Sequence, residues 1–207
     1  MATITTDYAK AVDVIAGGGV AALPTDTVYG LAANVLDIEA MRRVYAIKKR
    51  PLTKAMPVFV SSYEALTLIV AGISDTAKKL IDCMWPGALT LVFKLNPEFR
   101  TLAAAGGDTI AVRIPDHDMT LKILTETGVP LSGTSANLSG GPNPITADDV
   151  YGQIGGSVDI IVDGGPCRGT VASTIIDVSQ GRPKVVRYGA VSKEDIEEAC
   201  GTDVEFF

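Results

Sequence analysis

Three segments concentrate the side chains that could do chemistry: residues 24–34 (PTDTVYGLAAN), 48–57 (KKRPLTKAMP) and 132–144 (SGTSANLSGGPNP). Each mixes hydroxyls, amides or cations with the Gly and Pro that mark loops. A second set falls in strand-like runs: Arg113 in AVRIP, Ser173 in STIIDV and Arg187 in VVRYG. Hydroxyls, amides and cations in loops beside sheet edges are the usual materials of an anion or nucleotide pocket. The standard phosphate loops are missing. No G-x-x-x-x-G-K-[ST] occurs, and the run Gly17-Gly18-Gly19 lacks the third glycine of G-x-G-x-x-G. If the chain binds a nucleotide, side-chain cations and hydroxyls have to hold it outside such a loop.

Each feature also has a plainer reading. Lys48, Lys49 and Arg50 can be a solvated helix end, and residues 24–27 a simple turn. Residues 133–137 can be a loop whose Ser and Asn bond their own backbone. Read alone, Arg113 is a surface salt-bridge residue. His117, after Pro115-Asp116, belongs to a helix start, and Cys83 beside Trp85 to packing.

The elements that must position these residues alternate between helix and strand. Tyr8, Ala11, Val12 and Ile15 share one face of a helix over 6–17, which the glycine run ends. A second amphipathic helix is predicted over 37–49, with Asp37 as its cap and Pro51 closing it. Further helices are expected at 74–84, 117–127, 146–154 and 192–200. Strands are expected at 20–23, 57–60, 89–95, 109–114, from 130, and at 158–162, 173–178 and 184–187. Ile110, Val112 and Ile114 alternate with Arg113 in the fourth of these. The interleaving argues for α/β. The strands crowded near the end argue that part of the sheet is antiparallel. No linker or repeat interrupts the chain, so residues 1–207 are expected to form one domain.

Composition sets bounds on function. The 207 residues are 47% hydrophobic and 20% charged, which suits a compact soluble chain. No run of about 18 uncharged apolar residues could span a membrane. Residues 1–10 (MATITTDYAK) do not read as a secretory signal. Cys83, Cys167 and Cys200 are far apart and odd in number, which fits neither a disulfide framework nor a metal site, so a cytoplasmic location is expected. The net charge of −6 weakens broad nucleic-acid binding. Residues 41–54 nonetheless carry six basic side chains and no acid.

In order, the motifs PTDTVYGLAAN, Lys48-x-Arg50-Pro51, WPGALTLVF, AVRIP, Thr134-Ser135-Ala136-Asn137-x-Ser139-Gly140, STIIDV and VVRYGAV closely resemble the YrdC-like L-threonylcarbamoyladenylate synthase family. The matches run from about residue 10 to 195, with Lys-x-Arg…Ser-x-Asn as the hallmark. The resemblance implies a strongly twisted, mixed parallel and antiparallel sheet flanked by helices around a basic cavity. It implies a nucleotidyltransferase that joins L-threonine, bicarbonate and ATP into threonylcarbamoyl-AMP and pyrophosphate. That product feeds N6-threonylcarbamoyladenosine (t6A) formation on tRNA, so a t6A transferase complex is the expected recipient and tRNA a further partner. Thr25, Arg113, Gly133 and Ser173 match positions that hold threonine. Lys48, Arg50, Leu52, Thr109, Ser135, Asn137, Asn143 and Arg187 match the ATP side, with Lys48 and Arg50 as the catalytic pair. Mg²⁺ is expected to arrive with ATP, with no dedicated metal ligands. The sequence departs from the family at 52–60 (LTKAMPVFV), which lacks a His common near the threonine site. It also looks like the form without an extra C-terminal domain. Two other classes compete: a module binding double-stranded RNA through the strip 41–54, and a hydrolase using Ser135 with His117.

Overall fold

The computed structural model describes residues 1–201 and 204–205. In chain order the elements are β1 (Thr3–Thr5), α1 (Ala9–Ala16), β2 (Ala21–Leu23), β3 (Gly30–Ala32), α2 (Ile38–Ile47), β4 (Val58–Phe59), α3 (Tyr63–Ile69) and α4 (Asp75–Met84). Next come β5 (Leu89–Lys94), a 3₁₀ turn (Leu102–Ala104), β6 (Thr109–Arg113), α5 (Asp118–Thr127), β7 (Leu131–Ser132), β8 (Thr134–Ser135) and α6 (Ala147–Ile154). The described chain finishes with β9 (Ile160–Val162), β10 (Thr174–Asp177), β11 (Lys184–Arg187) and α7 (Lys193–Cys200).

The strands form two mixed sheets rather than one, in the orders β1-β9-β2-β3-β8 and β11-β10-β5-β6-β4-β7. In the first, β9 is parallel to β1 and β2, while β3 is antiparallel to β2 and β8. In the second, β10–β5 and β4–β6 are parallel and the other pairs antiparallel. Gly133 alone separates β7, in one sheet, from β8, in the other. A Cβ there would lie 2.5 Å from two ring atoms of Phe59, so the crossing needs glycine for close approach.

Local rules explain the helices. Asp37 Oδ1 accepts the amides of Glu39 and Ala40 at 2.9 and 3.1 Å and starts α2, whose apolar stripe buries Met41, Val44 and Tyr45. Past its end, Lys49 takes a left-handed φ of 49° and turns the chain toward Pro51. Ser62, Ser74 and Ser192 cap α3, α4 and α7 in the same way, and Thr146 with Asp149 builds a full capping box for α6. Cys83 is exposed, contrary to the packing role expected of it. The buried stripe of α4 is Ala77, Leu80 and Ile81, and Cys83, in the last turn, falls off its edge.

Strand alternation divides the six-stranded sheet into a core face and an open face. Leu89, Leu91 and Phe93 of β5, Ile110 and Val112 of β6, and Ile176 of β10 point into the main core. Their alternates face the other way. A second apolar cluster packs α1 and α5 on the five-stranded sheet through Ala11, Ile15, Ile123 and Leu124.

Candidate active site

The open face of the six-stranded sheet floors a cavity of about 600 Å³. Val92, Thr109, Ala111, Arg113, Ser173, Ile175 and Asp177 line this floor. The rest of the lining comes from residues around Thr25–Gly30, from Lys48 and Arg50, from the 55–59 segment, from the 133–143 loop and from Val186 and Arg187 of β11. Eleven of the twelve candidate residues line this one space: Thr25, Lys48, Arg50, Thr109, Arg113, Gly133, Ser135, Asn137, Asn143, Ser173 and Arg187. Leu52 is the exception. It sits in the turn after Pro51, 52% exposed and outside the lining.

Lys48 is buried at the end of α2. Its ammonium donates to Ser135 O, to Asn137 O at 2.9 Å and to Asn137 Oδ1 at 3.0 Å. Those acceptors match its three protons. Burial, helped by the nearby charge of Arg50, pulls its pKa down to about 8. Ser135 Oγ donates to Asn137 Oδ1 at 2.7 Å, and Asn137 Nδ2 donates to Gly141 O and Pro142 O. Lys48 and Asn137 thereby hold a loop that has no regular structure of its own beyond β8. Arg50 turns onto the carbonyls of Lys54 and Ala55, and so shapes the 51–55 turn.

Arg113 is almost completely buried, which corrects the surface reading of it. Its Nη2 reaches Asp26 Oδ1 at 2.6 Å, its Nη1 reaches Thr27 Oγ1 at 2.9 Å and its Nε reaches Gly87 O at 2.7 Å. Burial lowers its pKa, and Asp26 opposes that shift. Its guanidinium carbon also lies 5.8 Å from the Phe59 ring centroid, within cation–π range. Thr25 Oγ1 donates its one proton to Val28 O at 2.7 Å, so across the 3.0 Å contact Thr27 must be the donor. The chain Arg113–Thr27–Thr25 therefore runs in one direction and fixes the PTDT turn. Arg187 donates twice to Ser173 O and once to Ser173 Oγ, and burial lowers its pKa also.

Several residues in or directly behind the cavity wall went unnoticed in the sequence. Asp26 and Thr27 stood inside the quoted turn, but their partner lies on β6, far along the chain. Phe59 carried no signal. Asp177 was legible in principle, because it shares a strand face with Ser173 and Ile175.

Two competing readings lose support. Of the six basic residues in 41–54, Arg42 pairs with Glu39 and Arg43 forks onto Asp159. Lys48 is buried, and Arg50 is bonded to carbonyls. Two of the six charges are thus paired with acids and two belong to the cavity, which leaves Lys49 and Lys54 as the exposed remainder of the strip. His117 lies outside the cavity lining, so Ser135 has no histidine base there. Among the described residues no group of three His, Cys, Asp or Glu could hold a metal, and no helix is long and apolar enough to cross a membrane.

The Sua5/YciO/YrdC family profile, described as telomere recombination, matches residues 13–189. A threonylcarbamoyl-AMP synthase of Pyrococcus abyssi is 38% identical over 184 residues, covering 89% of this chain and 54% of the relative. One from Bacillus subtilis is 37% identical over 194 residues, covering 93% of this chain and 56% of the relative. The chain thus spans about half the length of these relatives. The crystal structure of P. abyssi Sua5 complexed with L-threonine superposes with a TM-score of 0.93 at 33% identity, over 99% of this chain and 62% of that one. With the hallmark residues gathered in one cavity and the family profile matched over most of its length, this chain belongs to the Sua5/YciO/YrdC family.

Proposed function

We propose that this chain is a threonylcarbamoyl-AMP synthase, a nucleotidyltransferase acting on L-threonine, bicarbonate and ATP in the cytoplasm. The observation that carries the reading is the cavity itself. Two cation sets, Lys48 with Arg50 and Arg113 with Arg187, face one space of a size suited to small ligands. Two curated relatives of known name carry this activity at 37% and 38% identity.

In this reading Arg113, Thr25, Ser173 and the Gly133 backbone bind threonine. Asp26 and Thr27 hold Arg113 so that its remaining N–H groups meet a carboxylate. Lys48, Arg50, Ser135, Asn137 and Arg187 take the triphosphate, with Thr109 and Asn143 lining the nucleotide. A phosphate oxygen engages Lys48 by displacing one of its loop acceptors.

Threonine's amine first takes up CO₂ from bicarbonate, forming an N–C bond and releasing water. A carboxy oxygen of that carbamate attacks the α-phosphorus. An O–P bond forms, the α–β bridge breaks, and pyrophosphate leaves with the bridging electrons. Both nucleophiles belong to the substrates, so the protein's work is alignment and the neutralisation of charge growing on phosphate oxygens. Mg²⁺ enters as part of the MgATP substrate. In this reading the ion is held by phosphate oxygens and water; among the described lining residues Asp177 is the one carboxylate. The acyl adenylate passes to a t6A transferase complex acting on tRNA.

Incubation with ATP, threonine and bicarbonate should release pyrophosphate, and omission of threonine should abolish that release. ATP breakdown that ignores threonine would refute the reading.

A further inference from the structure

Asp177 is a carboxylate in a cavity otherwise charged for a polyanion. Lys48, Arg50, Arg113 and Arg187 line the same space, and among the described lining residues Asp177 is the one acid. A negative charge there works against phosphate binding unless it meets a donor on the ligand. It lies on the cavity face of β10, four residues after Ser173, or about 13 Å along the strand. Ser173 is where the Arg187 guanidinium is anchored. Between them the floor is apolar, formed by Ile175, with Val92 directly beside Asp177 in register on β5. The order is therefore cation, apolar surface, carboxylate. Asp177 Oδ1 accepts the amide of Ser179 at 2.8 Å, which fixes the side chain. Among the described residues that is the side chain's one hydrogen bond, and Oδ2 receives none.

We infer that Asp177 recognises the ribose of the nucleotide, accepting hydrogen bonds from its vicinal hydroxyls. The inference rests on the synthase reading above and adds a specificity-determining residue to it. A carboxylate at the end of a strand is well suited to a ribose diol, since it accepts only and the diol can donate twice. Phosphates anchored near Arg187 put the sugar, rather than the triphosphate, next along the floor. Guanine recognition by a fixed carboxylate engages two adjacent N–H donors with both oxygens, and here one oxygen is already held by Ser179.

The test compares binding of ATP, 2′,3′-dideoxy-ATP and inosine triphosphate by calorimetry, alongside threonine-dependent pyrophosphate release. Wild type should bind ATP about ten- to a hundredfold more tightly than the dideoxy analogue, the worth of a hydrogen bond to a charged group. Asp177→Ala should bring ATP and the dideoxy analogue to equal affinity, weakening ATP and not weakening the analogue, which loses only an unpaired negative charge beside its phosphates. Asp177→Asn, which keeps an acceptor for the Ser179 amide, should fall in between, and thermal melts confirm that both variants fold. Equal wild-type affinity for ATP and the dideoxy analogue overturns the ribose role while threonine-dependent turnover still stands. So does discrimination that survives in Asp177→Ala. A variant that shifts only the ATP-to-inosine ratio assigns the residue to the base instead and also overturns it. Wild type that neither binds ATP nor releases pyrophosphate fails the synthase reading itself, and that failure shows before any variant is compared.

Discussion

Asp26 Oδ1 sits 2.6 Å from Arg113 Nη2, with 11% and 4% of the two side chains exposed, and the same oxygen accepts the amide of Asp116 at 3.0 Å. One carboxylate thus joins the PTDT turn, the end of β6 and the approach to α5. Removing either partner strands the other charge in a dry site. Asp26→Ala should cost about 3–5 kcal/mol in denaturant unfolding. Joint replacement of the pair by apolar residues of similar volume should cost less than either single change. A single-variant loss of under ~1 kcal/mol would show the pair to be well solvated.

Arg113→Ala should raise the KM for threonine far more than that for ATP. Steady-state kinetics with each substrate varied in turn will separate the two. Equal effects on both would place Arg113 outside the threonine subsite.

Lys48→Ala and Arg50→Ala should lower kcat strongly, by an amount equivalent to ~2–4 kcal/mol of transition-state stabilisation. The expected readouts differ between them. Lys48 also anchors the 135–142 loop, so its variant should lose loop protection in hydrogen exchange, whereas Arg50→Ala should disturb only the 51–55 turn. Wild-type rates from both would remove the proposed phosphate roles.

The acidity of Lys48 gives a pH signature. Burial favours its neutral form, so the folded pKa of about 8 lies below the ordinary 10.5. The unfolded chain then binds more protons between those values, and this residue's contribution to stability grows as pH rises through that window. The proposed phosphate role needs the charged form, so activity should move the other way. The kcat/KM for ATP, which reports the free enzyme, should fall as pH rises through about 8. A flat profile to pH 10 would remove the ammonium from the reaction.

Gly133→Ala should destabilise by about 1–3 kcal/mol through overpacking against Phe59, and Phe59→Leu should recover part of that loss. Thermal melts of the two single variants and the double variant will measure the coupling.

Much of the framework was legible from local pattern. Asp37 and the stripe Met41–Val44–Tyr45 announced α2, and Ile110, Val112 and Ile114 announced β6. The stretch 63–69 escaped notice as a helix because it is only seven residues long. β3 and β8 hid inside loop-like segments, since two- and three-residue strands with Gly, Ser and Thr are defined by their partners. The split into two sheets is a long-range pairing that no window of sequence records. Of the site, the polar residues were readable through the order and spacing of their motifs, since Ser, Thr and Asn are each ordinary in loops. Arg113 seemed a surface group because its acid lies 87 residues away. Leu52 was carried by the resemblance alone, and it remains outside the cavity.

The passage from β7 to β8 through a lone glycine leaves no slack where the two sheets meet. Ser132 tightens that edge further, since its hydroxyl bridges the Leu31 carbonyl and the Ala33 amide. The two walls are therefore riveted along one side and cannot swing apart there like jaws. Any change in the cavity's width has to come from its other linings, such as Arg50 and Gly140, which lie outside the strand ladders.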